Sequence, residues 1–160
     1  RCKRMIKLLR VDHRLLHGQV AFSWTTNLGA DCILIANDGI MHDDLRKTTV
    51  KLSKPAGTKL VIKNIEDSIA AINSGVTDKY KLFIVVESPK DAITLAEHCP
   101  QITHINLGGV KKLENGKQLS KTIWVTEEEE AGLKRLIEKG TEVEIRLVPD
   151  ERKVNVGNLI

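Results

Sequence analysis

Asp12-His13-Arg14-Leu15-Leu16-His17 places two imidazoles, a guanidinium and a carboxylate in one short segment, and Gly18-Gln19-Val20 follows directly. Imidazole is a competent nucleophile at neutral pH, because its unperturbed pKa of about 6.5 leaves much of it uncharged. His17 can therefore accept a phosphoryl group. Transfer of that group spreads negative charge over its equatorial oxygens, so a site for it needs fixed positive partners, hydrogen-bond donors and in-line placement. Arg14 supplies a permanently charged planar fork. The amides of Gly18 and Gln19 would face an anion from the start of a helix, where the macrodipole favours negative charge, and Gly18 lets backbone approach closely. Asp12 has two readings, orienting His17 through its second ring nitrogen or holding Arg14, and spacing leaves both open. The candidate catalytic residues are thus His17, Arg14 and Asp12, with Gly18 and Gln19 as phosphate-binding candidates. An ordinary polar loop would fit the same spacing.

These residues need a scaffold that delivers them together. Short β-branched runs at Ile6 to Val11, Cys32 to Ala36, Lys59 to Ile62, Leu82 to Val86, His104 to Leu107, Thr122 to Val125 and Glu142 to Leu147 read as strands. Segments of helical periodicity at Gly18 to Thr26, Asp44 to Leu52, Ile65 to Asn73, Pro89 to Glu97 and Glu127 to Lys139 lie between them. A helix between successive strands predicts right-handed crossovers, so the fold class is α/β: an open, mainly parallel sheet of about seven strands with helices on both faces. The active segment then leaves the carboxyl end of the first strand, where such sheets bind ligands. Asn37 and Asp38, Glu87 and Ser88, and Gly108-Gly109 follow other strands and would face the same crevice. Gly108 and Gly109 are further phosphate-binding candidates as an anion nest, whereas Asn37, Asp38 and Ser88 read first as turn chemistry.

Local signals mark several boundaries. Ser88-Pro89 reads as an N-cap and first helical residue, and Asn115-Gly116 as a tight turn late in the sheet. The acidic run Glu127 to Glu130 reads as a helix start, since Thr126 and Glu129 match a capping box. The tail from Pro149 to Ile160 closes the fold or packs on a partner.

Composition narrows the classes. The 160 residues, 41% hydrophobic and 29% charged, suit one globular domain over residues 1–160, in which residues 1–4 read as an upstream extension or expression remnant. No apolar run reaches the roughly 18 residues of a membrane span, and Cys2, Cys32 and Cys99 form no CxxC pair, so a reducing, cytoplasmic setting is expected. A net charge of +4 suits an acidic partner such as phosphate, while two Trp, two Phe and one Tyr offer little surface for stacking bases. No nucleic-acid partner is expected, and no cofactor. A metal site built from Asp12, His13 and His17 would place Arg14 inside its ligand set, which opposes cation binding, so no metal is expected either. A non-catalytic α/β binding module remains the alternative.

The stretch Asp12 to Val20 resembles the active-site motif of the mannose/sorbose IIB proteins of bacterial phosphoenolpyruvate-dependent sugar phosphotransferase systems, in which the histidine before Gly-Gln is phosphorylated. The likeness continues through Trp24, Asn37-Asp38, Lys54-Pro55-Ala56-Gly57-Thr58-Lys59, Asn106-Leu107-Gly108-Gly109 and Lys117-Gln118-Leu119-Ser120-Lys121. It implies an open α/β sheet and a phosphohistidine at His17 charged by a IIA partner. It also implies delivery to a sugar through membrane IIC and IID components at the inner face of the membrane, by a protein that does not itself span it. Arg14 would assist transfer, and Arg10 belongs to the motif. Family members often carry a second aspartate where this chain has His13. That exchange removes a negative charge beside the phosphate and sets a second imidazole near the first; His17 is the one that directly precedes Gly18-Gln19.

Overall fold

A computed structural model describes residues 6–160; the segment ahead of Ile6, with Cys2 and the expected extension over residues 1–4, lies outside the described residues. Strand and helix alternate as β1 (Ile6–Asp12), α1 (Gly18–Leu28), β2 (Cys32–Ala36), α2 (Asp44–Leu52), β3 (Lys59–Lys63), α3 (Ile65–Ser74), β4 (Leu82–Val86), α4 (Pro89–His98) and β5 (His104–Gly109). Then come β6 (Lys117–Ser120), β7 (Ile123–Val125), α5 (Glu127–Glu138), β8 (Glu142–Ile145) and β9 (Val154–Asn155).

Seven strands form one sheet in the order β3-β2-β4-β1-β5-β8-β9, every neighbouring pair parallel except β8 and β9. Both faces are covered, which is why β2 and β4 are apolar throughout. Leu9, Val11, Leu34, Ile84 and Val86 pack with Ile72 of α3, Leu95 of α4 and Leu133 of α5. Their alternates Leu8, Ile33, Ile35, Phe83 and Val85 pack with Ala21 and Trp24 of α1 and Val50 of α2. The chain therefore leaves β1 toward one face, whereas it leaves the flanking β4 and β5 toward helices on the other. A reversal of this kind opens a crevice beyond the carboxyl ends of the strands.

Two expectations about the sheet are corrected. The segment expected as Thr122 to Val125 does not join it: Ile123–Val125 pairs antiparallel with β6 as a separate hairpin, and the seventh strand is β9, from the tail. The tail thus closes the fold, with Val156 fully buried in the α3–α5 core. The last parallel strand stops at Ile145 instead of Leu147, because the Leu147 amide donates to the Glu151 carboxylate at 2.7 Å in the loop around Pro149. Asn115-Gly116 does form a turn, closed by Gly116 N–H to Leu113 O at 3.2 Å, but the turn precedes the hairpin. The capping box at Thr126 and Glu129 is present with both reciprocal bonds, and Ser88 caps α4 by accepting from the Asp91 amide at 3.2 Å.

Candidate active site

The site is built where β1 ends. A register shift against β5 between Val11 and Asp12 re-aims the aspartate, as irregularities beside functional sites commonly do. The Leu15 amide donates to Asp12 O at 2.8 Å, closing a tight turn. Leu15 then takes a left-handed conformation (φ 60°), which costs a non-glycine residue roughly 1–2 kcal/mol. Burial of Leu15 and Leu16 in the core under α1 and α2 offsets this, at about 1.5–3 kcal/mol for each side chain. His17 follows in extended backbone at the N-cap of α1, and Gly18 turns the chain into the helix with φ 46°. No side chain caps α1, so the first-turn amides, Gly18 and Gln19 among them, are left to face a ligand.

Both readings of Asp12 meet in one carboxylate. It is wholly buried, and its Oδ2 accepts from His17 Nε2 at 3.0 Å and from Arg10 Nη2 at 3.1 Å. Its Oδ1 accepts from the Arg14 amide at 3.0 Å, with Arg14 Nε 3.6 Å away. Burial alone would raise the Asp12 pKa, but the bond from His17, the charge of Arg10 and the Arg14 amide together hold it below the ordinary carboxylate value. An ionised carboxylate only accepts, so His17 carries its proton on Nε2 and leaves Nδ1 for a ligand. His17 is 21% exposed and the Arg14 guanidinium 51%, so both are reachable from solvent.

Behind Asp12 lies a buried polar ladder. Arg10, Asn106 and Glu144 are register partners on β1, β5 and β8, and their side chains link across the sheet. Arg10 Nη1 donates to Asn106 Oδ1 at 2.6 Å, and Asn106 Nδ2 donates to Glu144 Oε1 at 3.0 Å. Glu144 is held by Arg146 and His104. Burial would raise its pKa, but the bonds from His104, Arg146 and Asn106 bring it down to about 2. Two guanidinium groups lie over the Trp24 ring, Arg10 at 5.3 Å and Arg146 at 5.0 Å from its centre, and Trp24 Nε1 donates to Leu147 O at 3.0 Å. Of this ladder the sequence reading named Arg10, Trp24 and Asn106 as parts of the family likeness, without a role, and left out Glu144, Arg146 and His104. Glu142 and Glu144 in the last parallel strand and Arg146 just past its end, at period 2, were the available signal of a charged face.

The remaining candidates divide. A crevice of about 620 Å³ is lined by His13, Arg14, Arg46, Glu87, Ser88 and Lys111 among others; His17 is outside that lining. His13 is fixed by its backbone, donating to Gly109 O at 3.0 Å and accepting from Arg46 Nη2 at 3.1 Å, while Arg46 also pairs with Glu87 at 2.9 Å. Below the crevice Asp91 is pushed up to about 6, by burial first and then by Glu87 and Asp38. Asn37 Oδ1 accepts from the Ile40 amide and Asp38 Oδ1 from the Ile65 amide, so both serve turns. Gly108 and Gly109 lie within β5, and neither has the positive φ of a nest. A Cβ on Gly108 would fall 2.2 Å from the Arg10 guanidinium carbon, so its missing side chain makes room for Arg10.

A parallel α/β sheet that presents an imidazole, an arginine and an uncapped helix start at its reversal point has the groups that a phosphoryl-transfer protein needs. Comparison with known proteins names the family. Residues 6–160 match the family model for the sorbose subfamily IIB component of the phosphotransferase system. A probable phosphotransferase enzyme IIB component of Streptococcus pyogenes is 33% identical over 98% of this chain and 99% of its own length. The crystal structure of the IIBSor domain of the sorbose permease of Klebsiella pneumoniae superposes with a TM-score of 0.88 at 28% identity, covering 96% of this chain and 94% of that one. The mannose-specific EIIAB component of Escherichia coli is 29% identical over 98% of this chain, which spans 48% of that longer protein. The chain belongs to the sorbose subfamily of phosphotransferase-system IIB components, phosphoryl carriers in sugar uptake.

Proposed function

We propose that His17 is the phosphoryl carrier, that Nδ1 is the atom that bears the group, and that a phosphorylated IIA partner supplies it. The observation that carries this reading is the bond from His17 Nε2 to the buried Asp12 carboxylate, which leaves the Nδ1 lone pair free. In the accepting step the Nδ1 lone pair forms the new N–P bond. The donor's N–P bond breaks, and its electron pair returns to the donor's ring nitrogen, with no proton gained or lost at either atom. In the delivering step a sugar hydroxyl oxygen attacks phosphorus, the N–P pair returns to Nδ1 and the hydroxyl proton leaves to solvent. Arg14 and the first-turn amides of Gly18 and Gln19 would hold the equatorial oxygens in both steps.

The fused EIIAB relative, in which an EIIA and an EIIB part share one chain, supports the choice of a IIA donor. Delivery to a transported sugar would go through membrane components, IIC and IID, at the cytoplasmic face; among the described residues no helix is long and apolar enough to cross a membrane. NMR of the phosphorylated, histidine-labelled protein tests the atom assignment. We expect one phosphohistidine, at His17, with phosphorus coupled to Nδ1 and a proton retained on Nε2. Coupling to Nε2 would refute the orientation assigned to Asp12.

A further inference from the structure

We propose that Asn106, locked by Glu144 and given room by Gly108, is a positioning residue for phosphoryl transfer. It makes Arg10 grip Asp12 with one nitrogen, at Oδ2, instead of two, and so keeps Oδ1 for the Arg14 amide and the carboxylate fixed toward His17. The inference rests on His17 being the carrier.

An arginine beside an aspartate ordinarily forms a two-pronged pair that occupies both carboxylate oxygens. Arg10 and Asp12 are buried together, and such a pair here would put the second guanidinium nitrogen on Oδ1, where the Arg14 amide now donates, and turn the carboxylate that bonds His17 through Oδ2. The structure shows the second prong diverted: Nη2 goes to Asp12 at 3.1 Å, while Nη1 goes to Asn106 Oδ1 at 2.6 Å and to Arg146 O at 3.2 Å. Asn106 can present only its oxygen to Arg10, because its amide nitrogen is already committed to Glu144 Oε1 at 3.0 Å and Arg146 O at 3.1 Å. Glu144 in turn is fixed by two nitrogens of Arg146, at 3.0 and 2.7 Å, and by His104 at 2.9 Å.

Sterics lead to the same conclusion. The guanidinium lies 5.3 Å from the Trp24 ring centre and fills the space that a side chain at Gly108 would take, where a Cβ would fall 2.2 to 2.4 Å from Cζ, Nη2 and Nη1. A side chain there would displace the guanidinium from its bonds to Asp12 and Asn106. Asn106 and Gly108 lie on one face of β5, two residues apart, so both act on the same guanidinium.

The test uses the full chain with histidine rings labelled. The wild type should show a ring N–H signal from His17 Nε2, protected by Asp12 and identified by its loss in His17→Ala. Asn106→Leu and Gly108→Ala should lose that protection and take up phosphate from a phosphorylated mannose-family IIA protein about tenfold to a hundredfold more slowly, the range seen when the outer partner of a metal-binding imidazole is removed. Gly132→Ala crowds Ile93 in the core, away from this ladder, and should alter stability alone. If Asn106→Leu does not fold, Gly108→Ala decides. Folded variants with the signal intact and uptake unchanged would overturn the positioning role. A wild type that takes up no phosphate would instead overturn the carrier reading on which it rests.

Discussion

Asp12→Asn is expected to give a folded protein whose phosphoryl uptake is about a hundredfold to ten-thousandfold slower, a range set by the loss seen when the carboxylate orienting a catalytic imidazole becomes an amide. The substitution keeps the shape but replaces one acceptor oxygen by a donor. Three donors converge on this carboxylate, from His17, Arg10 and the Arg14 amide, and an amide oxygen cannot serve them all. Whichever way the new amide turns, its nitrogen opposes an N–H. With that nitrogen at Oδ2 His17 loses its acceptor; with it at Oδ1 the Arg14 N–H is opposed and the side chain turns, which loosens the bond that fixes the direction of the Nδ1 lone pair. Stability should change with pH as well. The Asp12 pKa is lowered on folding, so its contribution is present above the unfolded value of about 3.9 and is lost as pH falls through the folded value. The variant should lack that acid-sensitive part of the stability curve. Uptake timed by rapid quench, with denaturation at neutral and acid pH, measures both effects; a wild-type rate would show that the carboxylate does not orient the ring.

Arg10→Met should produce the largest loss of stability, about 3–5 kcal/mol, the cost of leaving one member of a buried ion pair without its partner. Arg10 is 2% exposed and Asp12 fully buried, so water cannot replace the missing cation. Burial lowers the Arg10 pKa, and the charge and hydrogen bond of Asp12 oppose that shift, so each charge is maintained by the other. The double variant Arg10→Met with Asp12→Asn removes both charges and should regain much of the stability, while uptake stays low because His17 still lacks its carboxylate. Urea denaturation beside an uptake assay separates the two quantities. Full additivity of the two stability losses would contradict direct coupling between Arg10 and Asp12.

The parallel core was legible because strands covered on both faces carry continuous apolar runs: Cys32–Ala36 and Leu82–Val86 begin and end where sequence periodicity puts them. The edges were less so. Val154–Asn155 joins the sheet through backbone pairing with β8, which two exposed residues do not advertise, and Ile123–Val125 has strand composition whether it pairs in the main sheet or in a hairpin. At the site, one contiguous segment holds the candidate nucleophile and its neighbours. The ladder behind it depends on Arg10, Asn106 and Glu144 meeting in register on three strands far apart in sequence, and only the sheet order brings them together. Gly108 shows the same limit. Its sequence context suggested an anion nest, and only the position of the Arg10 side chain explains why a glycine stands there.

The carrier role of His17 is tested most directly by intact-mass analysis after incubation with phosphoenolpyruvate, the general phosphotransferase proteins and a mannose-family IIA, comparing wild type, His13→Ala and His17→Ala. The expected result is one acid-labile phosphoryl group on wild type and on His13→Ala, and none on His17→Ala. A phosphoryl group that persists in His17→Ala, or that disappears in a folded His13→Ala, would contradict the assignment.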